Sequence, residues 1–415
     1  MKAVEIKKDI FWVGAVDFGC HNFHGYSIAP KGTSYNAYLV KDEKNVLFDT
    51  VQAHEADAFI AHIQQILELE KIDYIVVNHL ELDHAGCLAR LVECCKPEKI
   101  FCSTMGLKSM AGYFDTTGWP VQAVKSGDSI NIGKRNIQFL ETRMLHWPDS
   151  MFSYIPEDKL LISNDAFGQN IACSCLYSHE VDPGVLNTAI EEYYYNIVLP
   201  FSQQVLKTVD EVTKLGLDID MIAPDHGLVF KGKDEVNKII KKYVELAEQK
   251  PQKKALIFYD TMWHSTEELA YAIGDGLKEA GVEYRIMFLK NHHHSELMTE
   301  LAKCGAVIAG SPTHNNTVMP LVSAMLTYMK GLKPQNRIGA AFGSFGWSGE
   351  SPKQIQEILE SMKMELPAEP LRVSFKPKAA ELHAARELGK SVGTALVKKM
   401  TAQAPGDWDK NKVKA

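Results

Sequence analysis

The stretch that decides the fold is DYIVVNHLELDH, residues 73–84. Its first half is a short apolar run of the kind that forms a buried β-strand. Its last six residues carry two imidazoles and two carboxylates, those of His79, Glu81, Asp83 and His84. Four metal-ligating side chains this close together carry an electrostatic cost if no cation joins them. The segment therefore predicts a metal site at the end of a strand.

Three further apolar runs in the first 250 residues end in side chains of the same kinds. His146 follows IQFLETRML, Asp165 follows KLLISN, and His226 follows DMIAPD. Each of these residues taken alone is more often a cap or a surface group, but loops that leave one edge of a sheet bring such residues together. A transition ion takes about four to six ligands. Seven candidate ligands, one of which could bridge, therefore predict two ions rather than one.

The composition excludes several classes of protein. At 415 residues, 46% of them hydrophobic and 23% charged, the chain is too long for one ordinary core, so two domains are expected. A net charge of −7 argues against nucleic acid as a partner. The N-terminal MKAVEIKKDIFWVG lacks the apolar core of a signal peptide, and no run stays apolar for the roughly 18 residues of a membrane span. We therefore expect a cytoplasmic protein without membrane contact.

The eight cysteines never form a C-x-x-C pair. This spacing argues against a zinc ribbon and against a rubredoxin-type iron site in the chain. The thiols are therefore expected to be reduced and mostly buried as small apolar side chains.

The pattern of the chain changes near Pro251, where a helix gives way to a lysine-rich turn. Residues 1–250 mix short strands with helices, among them a long helical pattern over residues 188–216 that Pro200 should kink. Residues 251–400 alternate five strand patterns with five helix patterns, which predicts an α/β domain with one doubly wound parallel sheet. Residues 401–415 are polar and are expected to form a frayed tail.

The order HxExDH, then His146, Asp165 and His226, resembles the metallo-β-lactamase superfamily, whose hydrolases usually carry HxHxDH. The version with Glu81 in the second slot resembles the flavodiiron proteins, and the similarity includes ETRMLHWPDS at residues 141–150 and runs through both halves of the chain. It implies a metallo-β-lactamase-like αββα sandwich followed by a flavodoxin-like domain. The carboxylate of Glu81 is a harder, anionic ligand than imidazole, which favours iron over zinc.

The resemblance also implies a role for each candidate ligand. The implied ligands are His79, Glu81 and His146 for one iron, Asp83 and His226 for the other, and Asp165 as the bridge between them. His84 matches a position at the second iron, although in some relatives this histidine stands off the metal. His24 and Tyr26, in NFHGYS, are candidate pocket residues, with ordinary loop packing as the alternative.

The second half of the chain offers a phosphate cradle and two loops suited to a planar ring. TMWHSTEE, which follows the strand KALIFYD, places hydroxyl groups at a helix N-terminus without the glycine-lysine signature of a nucleotide triphosphate loop, so a monophosphate fits best. SPTHNNT and GSFGWSGE follow two later strands. The three loops resemble those of flavodoxin, which implies FMN. The implied FMN residues are Thr261, Trp263, His264, Ser265 and Thr266 at the phosphate, and Pro312, Thr313, His314, Asn315, Ser344, Phe345, Gly346 and Trp347 around the ribityl chain and the ring.

A pair of iron ions and a flavin together hold four electrons, the number that converts dioxygen to two waters. Coupling two molecules of nitric oxide to nitrous oxide needs two electrons. The resemblance implies an oxidoreductase that carries out one or both of these reductions, with electrons delivered through FMN from a separate carrier such as rubredoxin. It also implies a head-to-tail homodimer, or a dimer of dimers, in which the FMN of one subunit faces the iron site of the other.

Two alternatives remain at this point. One is a zinc-dependent hydrolase of the metallo-β-lactamase superfamily with an appended flavodoxin-like domain, which Glu81 argues against. The other is an electron carrier or flavin-binding module whose metal site is structural. The residues give no preference between dioxygen and nitric oxide, and they do not identify the electron donor.

Overall fold

The computed structural model describes residues 2–402, a mixed α/β protein that divides into two compact units. The first unit ends at Glu248 and the second begins at Gln249, two positions before the Pro251 of the predicted boundary. Within residues 2–402, no helix combines the length and the apolar character that crossing a bilayer requires.

The first unit is built on two β-sheets. In chain order its strands are β1 (Val4–Lys7), β2 (Ile10–Trp12), β3 (Ala15–Asp17), β4 (Asn22–Phe23), β5 (Ser27–Ile28), β6 (Thr33–Tyr35), β7 (Tyr38–Val40), β8 (Val46–Phe48), β9 (Tyr74–Val77), β10 (Lys99–Ser103), β11 (Val121–Val124), β12 (Ser129–Asn131), β13 (Asn136–Glu141), β14 (Met151–Ile155), β15 (Leu160–Ile162), β16 (Met221–Ala223) and β17 (Phe230–Lys231). One sheet has seven strands in the order β1-β2-β7-β8-β9-β10-β11, and the other has six in the order β12-β13-β14-β15-β16-β17.

The two large sheets share one core, which defines a sandwich. That core joins Phe48 and Val76 of the seven-stranded sheet to Ile137 and Met151 of the six-stranded sheet. Strand β8 is buried at every position, as expected for a strand that is covered on both faces. The helices of this unit are α1 (Ala56–Gln64), α2 (Leu82–Ala85), α3 (Leu88–Cys95), α4 (Gly106–Tyr113), α5 (Pro183–Tyr193), α6 (Ser202–Leu215) and α7 (Lys233–Ala247).

The predicted long helix over residues 188–216 is interrupted and begins earlier than expected. Helix α5 starts at Pro183, where the carboxylate of Asp182 accepts hydrogen bonds from two backbone N–H groups, a start signal that the sequence analysis missed. A wide turn over Tyr194–Val198 and a tight turn over Leu199–Phe201 separate α5 from α6. Pro200 lies in the tight turn. Proline removes one helical hydrogen bond and crowds the preceding turn, so the helix is interrupted there.

The second unit contains the predicted five strands and five helices, which alternate along the chain. They are β18 (Lys254–Tyr259), α8 (Ser265–Glu279), β19 (Glu283–Phe288), α9 (His294–Lys303), β20 (Ala306–Gly310), α10 (Pro320–Leu332), β21 (Ile338–Phe345), α11 (Ser351–Ser361), β22 (Leu371–Ser374) and α12 (Ala379–Ala402). All strand pairs are parallel, in the order β19-β18-β20-β21-β22. The strand order reverses between β18 and β20, so the loops after these strands border the usual ligand crevice of such folds.

Helices α8 and α12 approach each other through glycines. A Cβ atom added to Gly389 would overlap the carbonyl oxygen of Ile273, and one added to Gly276 would overlap that of Arg386. We expect Gly389→Ala to lower the free energy of unfolding by about 1–3 kcal/mol, the usual cost of overpacking. Denaturant titration measures this change. Gly331→Ala is the matched control, since no atom lies within 4 Å of the added Cβ, and it should stabilise α10 slightly. Equal effects of the two substitutions would contradict this account of the helix contact.

Two details differ from the sequence-based expectations. All eight cysteines are free thiols, but only four are buried, and Cys94 is exposed. Helix α12 reaches Ala402, so it includes the first two residues of the predicted tail. The rest of that tail, residues 403–415, lies outside the described residues.

Candidate functional site

The HLELDH segment leaves strand β9 through a turn that a buried carboxylate holds in place. Asp49, at the end of β8, accepts a hydrogen bond from the backbone N–H of Asn78 at 2.7 Å and another from its side-chain amide at 2.6 Å. The chain then continues through Glu81 into α2, which carries Asp83 and His84. The short helix turns these last two side chains away from the direction that the strand would have given them.

The structure brings all seven predicted metal ligands together. Asp165 stands at the middle: its Oδ2 lies 3.3 Å from His79 Nε2 and 2.9 Å from His146 Nε2. Its Oδ1 lies 3.1 Å from His84 Nε2 and 3.3 Å from His226 Nε2. One carboxylate thus faces two sets of donor atoms, the geometry expected of a bridge. The two sets, each with ligand atoms within 4.8 Å of one another, are His79, Glu81, His146 and Asp165, and Asp83, His84 and His226.

The two remaining carboxylates each belong to one set. Glu81 Oε2 lies 3.3 Å from His79 Nε2 and 3.4 Å from His146 Nε2. Asp83 Oδ2 lies 3.3 Å from His226 Nε2. All of these side chains except that of Glu81 are buried. The site is therefore a closed cluster of four imidazoles and three carboxylates.

Unpartnered atoms in this cluster test whether metal ions fit it. Among the described residues, Asp83 Oδ1, Asp165 Oδ1 and both ring nitrogens of His84 are buried without a hydrogen bond, because the 3.1 Å approach of Asp165 Oδ1 to His84 Nε2 lacks hydrogen-bond geometry. Buried carboxylate oxygens and imidazole nitrogens are rarely left in this state, because burial removes their hydrogen bonds to water and no other hydrogen bond replaces them. Coordination to metal ions satisfies such atoms. The donor set of nitrogen and oxygen atoms therefore fits transition ions.

The charges of the cluster lead to the same conclusion. Burial raises the pKa of Asp165, but the adjacent imidazoles of His84 and His146 outweigh it and hold the pKa well below its usual range. Burial lowers the pKa of His84, but the carboxylates of Asp83 and Asp165 raise it to about 10. The carboxylates thus require positive charge beside them. Metal ions supply that charge and release the imidazole protons when they bind.

Two groups outside the cluster orient imidazole rings toward it, and a third group, a carboxylate, lies nearby. His79 Nδ1 lies 3.2 Å from Asp149 Oδ2, and His226 Nδ1 lies 2.6 Å from the carbonyl oxygen of Ser34. Both contacts turn Nε2 of the ring to the centre, as partners of metal-binding histidines do. Asp225 Oδ2 lies 3.8 Å from His84 Nδ1, beyond hydrogen-bonding distance. The sequence analysis missed these residues, although Asp149 belongs to the HWPDS segment that supported the resemblance.

The two predicted pocket residues have different positions. His24 reaches the cluster, with its Nε2 3.1 Å from Glu81 Oε1. Tyr26 stacks on the ring of His24 at 6.1 Å between centroids and is half exposed, so it lies at the rim. A polar pocket of about 480 Å³ opens between solvent and the cluster, and His24, Glu81 and Asp83 line it. The pocket thus places His24 beside two of the predicted ligands, Glu81 and Asp83.

The predicted flavin residues lie in the loops after three strands of the parallel sheet and in the elements that border these loops, with Ser265 and Thr266 in the first turn of α8 and Ser344 and Phe345 at the end of β21. At the start of α8, His264 adopts a left-handed backbone and binds Glu267 through its ring, so its side chain does not cap the helix. The first backbone N–H groups of α8 are therefore available to a phosphate. The buried hydroxyls of Thr266 and Ser344, 2.9 Å apart, tie this turn to the end of β21. Lys290, which the sequence analysis missed, contacts the carbonyl oxygen of Thr261 at 3.3 Å.

Exposed aromatic rings border the same loops. Trp263 and Trp347 are each 86% exposed, which is unusual for tryptophan in a folded domain. A Cβ atom added to Gly346, beside Trp347, would meet only the ring of Phe375, at 3.8 Å. In the loop after β20, a turn from His314 to Thr317 holds Asn315 in a left-handed conformation. Large flat side chains and open backbone at one edge fit a planar ring such as that of a flavin.

The fold and the site together define a metallo-β-lactamase-like unit with paired metal-ligand groups, followed by a flavodoxin-like unit. Comparison with known families agrees with both parts. Residues 33–227 match the family described as ODP family beta lactamase, and residues 257–389 match the flavodoxin family. The predicted fold class is therefore confirmed for both halves.

Full-length relatives specify the family. The chain is 48% identical to a rubredoxin-oxygen oxidoreductase of Megalodesulfovibrio gigas over 97% of this chain and all of that protein. It is 41% identical to a nitric oxide reductase of Moorella thermoacetica, covering 95% of this chain and 98% of that one. The crystal structure of the flavodiiron protein from Giardia intestinalis matches with a TM-score of 0.92 at 31% identity, over 98% of this chain and 99% of that chain. This chain belongs to the flavodiiron protein family.

Proposed function

We propose that this protein reduces dioxygen to water, nitric oxide to nitrous oxide, or both, at a pair of iron ions. Electrons reach the site through FMN from a separate carrier such as rubredoxin. The observation that carries the proposal is the position of Asp165, whose two oxygens face two separate groups of ligand atoms. The names of the relatives, an oxygen oxidoreductase and a nitric oxide reductase, support both substrates.

Each side chain of the cluster has a defined part in this proposal. His79, Glu81 and His146 would hold one iron ion, and Asp83 and His226 would hold the other, with His84 as a further candidate ligand of the second. Asp165, whose two oxygens face both groups, would be shared between them, so that the paired ions could act together on small molecules. When bound, the iron ions and FMN supply the electrons for either reduction. Glu81 makes the centre suited to iron rather than zinc.

The reductions also consume protons, four for each dioxygen and two for each pair of nitric oxide molecules. His24 is placed to pass them on, because its Nε2 lies 3.1 Å from Glu81 at the inner end of the polar pocket. Tyr26 stacks on the outer side of this ring and orders it. Asp149 and the Ser34 carbonyl oxygen keep the rings of His79 and His226 aimed at the ions.

The proposed assembly is a head-to-tail homodimer, or a dimer of such dimers, in which the flavin of each subunit faces the iron site of the other. The exposed rings of Trp263 and Trp347 support a partner here, since tryptophan is enriched in protein–protein interfaces relative to the rest of the surface. The free state of all eight cysteines supports a cytoplasmic location, where thiols stay reduced. Analytical ultracentrifugation of the loaded protein tests the dimer.

A gas-reduction assay with metal analysis tests the central proposal. Protein from iron-replete cells should contain two iron ions and one FMN per chain. After anaerobic reduction, a pulse of dioxygen or nitric oxide should be consumed repeatedly while a reduced donor is present, without release of peroxide. Two zinc ions and no iron would favour the hydrolase alternative. Oxidation of the flavin without catalytic gas consumption would favour the electron-carrier alternative.

Replacing one exposed tryptophan with alanine tests whether these loops bind FMN. Trp347→Ala should weaken FMN binding by up to about tenfold, because stacking of aromatic rings is worth about 0.5–1.5 kcal/mol. The measurement is a fluorescence titration of the flavin-free protein with FMN. The side chain is exposed, so folding should not change. Tyr271→Ala, which removes another exposed ring of the same unit outside these loops, is the control. An unchanged FMN affinity in Trp347→Ala would contradict the assignment.

A further inference from the structure

An apolar cavity of about 40 Å³ lies inside the first unit, apart from the polar pocket at His24. Helix α6 forms one wall through Val205, Val209 and Val212. Its other walls include Leu145 and Phe167. Such a cavity exceeds the roughly 10–15 Å³ that one small molecule the size of water needs. It therefore has room for a diatomic gas.

The lining of the cavity disfavours water. Of its thirteen residues, only Thr208, Thr213 and Tyr243 carry hydroxyl groups. The hydroxyl of Thr213 donates its hydrogen bond to the carbonyl oxygen of Val209 in its own helix, at 2.8 Å, whereas the buried hydroxyl of Tyr243 has no hydrogen-bond partner among the described residues. A buried water needs about two to four polar partners, so the Tyr243 hydroxyl by itself is too few, and mostly apolar cavities take apolar guests such as xenon. The cavity is therefore suited to an apolar guest.

The lining of the cavity includes an exposed residue as well as residues close in sequence to metal ligands. Thr213, near the end of α6, is exposed. Leu145 and Phe167, which also line the cavity, are buried. Leu145 directly precedes His146 in the chain, and Phe167 follows Asp165 by two residues. Part of the cavity wall is thus formed by residues within two positions of two predicted metal ligands.

We propose that this cavity takes up a small apolar gas, of the class of dioxygen and nitric oxide, and delivers it to the metal cluster. The inference rests on the proposed function and adds a gas-binding site to it. Gas and protons then use different routes, the gas the apolar cavity under α6 and the protons the polar pocket at His24. The division follows from solvation, because apolar molecules favour apolar surroundings while protons require polar groups.

Xenon provides a probe that does not depend on turnover. Crystals of the iron- and FMN-loaded protein under xenon pressure should show a xenon peak between Val209, Leu145 and Phe167. Val209→Phe, which places a ring in the cavity, should remove the peak. Leu206→Phe is the matched control, since it enlarges a partly buried residue of the same helix that does not line the cavity. An empty cavity in the unsubstituted protein would overturn the proposal.

Steady-state kinetics test delivery. With saturating reduced donor, Val209→Phe should lower kcat/KM for the gas by about tenfold, the lower end of what one methylene in an apolar pocket is worth, and leave kcat nearly unchanged. Equal values of kcat/KM in Val209→Phe and Leu206→Phe would contradict delivery of the gas through the cavity, even if xenon binds there. If Val209→Phe fails to fold, Val209→Ala takes its place and should increase xenon occupancy. Absence of turnover in the unsubstituted protein would instead contradict the proposed function, while the xenon peak still decides whether the cavity binds gas.

Discussion

Asp165→Asn should reduce gas turnover by at least about 100-fold, because residues that only orient metal ligands are already worth about 10–100-fold. The substitution keeps the shape of the side chain but replaces the anionic bridge with a neutral amide. Asp165 faces four imidazoles within 3.3 Å, so its charge balances the whole cluster. The iron content should fall below two per chain, and the FMN absorbance should remain. Metal analysis and gas consumption measure the two effects.

A substitution at a second buried carboxylate, that of Asp42, is the control that distinguishes a loss of metal binding from a loss of stability. The side chain of Asp42 is also fully buried in the first unit, where it pairs with Arg135 at 3.2 Å. Asp42→Asn should lower the stability of the protein and leave the iron content unchanged. Loss of iron from both variants to the same degree, or full turnover in Asp165→Asn, would refute the bridging role.

Glu81→His should change the metal preference of the site from iron to zinc. The variant reads HLHLDH, the pattern of the hydrolases that the sequence resembles, and it replaces a carboxylate with imidazole beside His79 and His146. A softer, neutral ligand favours zinc over iron, and zinc has no redox chemistry. We expect zinc to replace iron in protein from cells supplied with both metals. Gas turnover should fall by about 100-fold or more, because residues that only orient a metal ligand are worth about 10–100-fold and the loss of a ligand itself should cost at least as much.

The control for this variant is Glu141→His, which introduces the same imidazole at a carboxylate that pairs with Arg143. It should keep iron and activity. An iron-loaded, active Glu81→His variant would show that the second slot of the motif does not select the metal. Zinc loading with retained gas turnover would contradict the requirement for redox-active ions.

The sequence predicted the parts of the site that follow strand ends. His79, Asp165 and His226 lie just beyond β9, β15 and β16, and sheet edges bring such residues together. His146 was predicted at the end of a strand, but β13 ends at Glu141 and a loop carries the histidine to the cluster. The flavin loops followed from the regular alternation of strands and helices, which also predicted the doubly wound sheet.

The supporting groups could not be predicted in the same way. The Ser34 carbonyl oxygen that holds His226 is backbone, which every residue possesses, so no sequence pattern marks it. Asp49 holds the HLELDH turn only because β8 and β9 are neighbours in the sheet. The wide turn over Tyr194–Val198, before Pro200, contains the buried side chains of Tyr194 and Tyr195. Burial of such side chains can override helix propensity, which a sequence pattern does not show. These features arise from pairings across the fold.

The glycine contact between α8 and α12 has a consequence for biogenesis. Helix α12 ends at Ala402 and supplies Leu388, Val392 and Leu396 to the core of the second unit. During synthesis the first unit leaves the ribosome before the second and can fold as a unit, whereas the second lacks one side of its core until α12 has been made. We therefore expect the loops of the second unit to acquire their final positions, and to bind the flavin, only once α12 can pack. Truncations that remove α12 should yield a protein whose first unit folds without it.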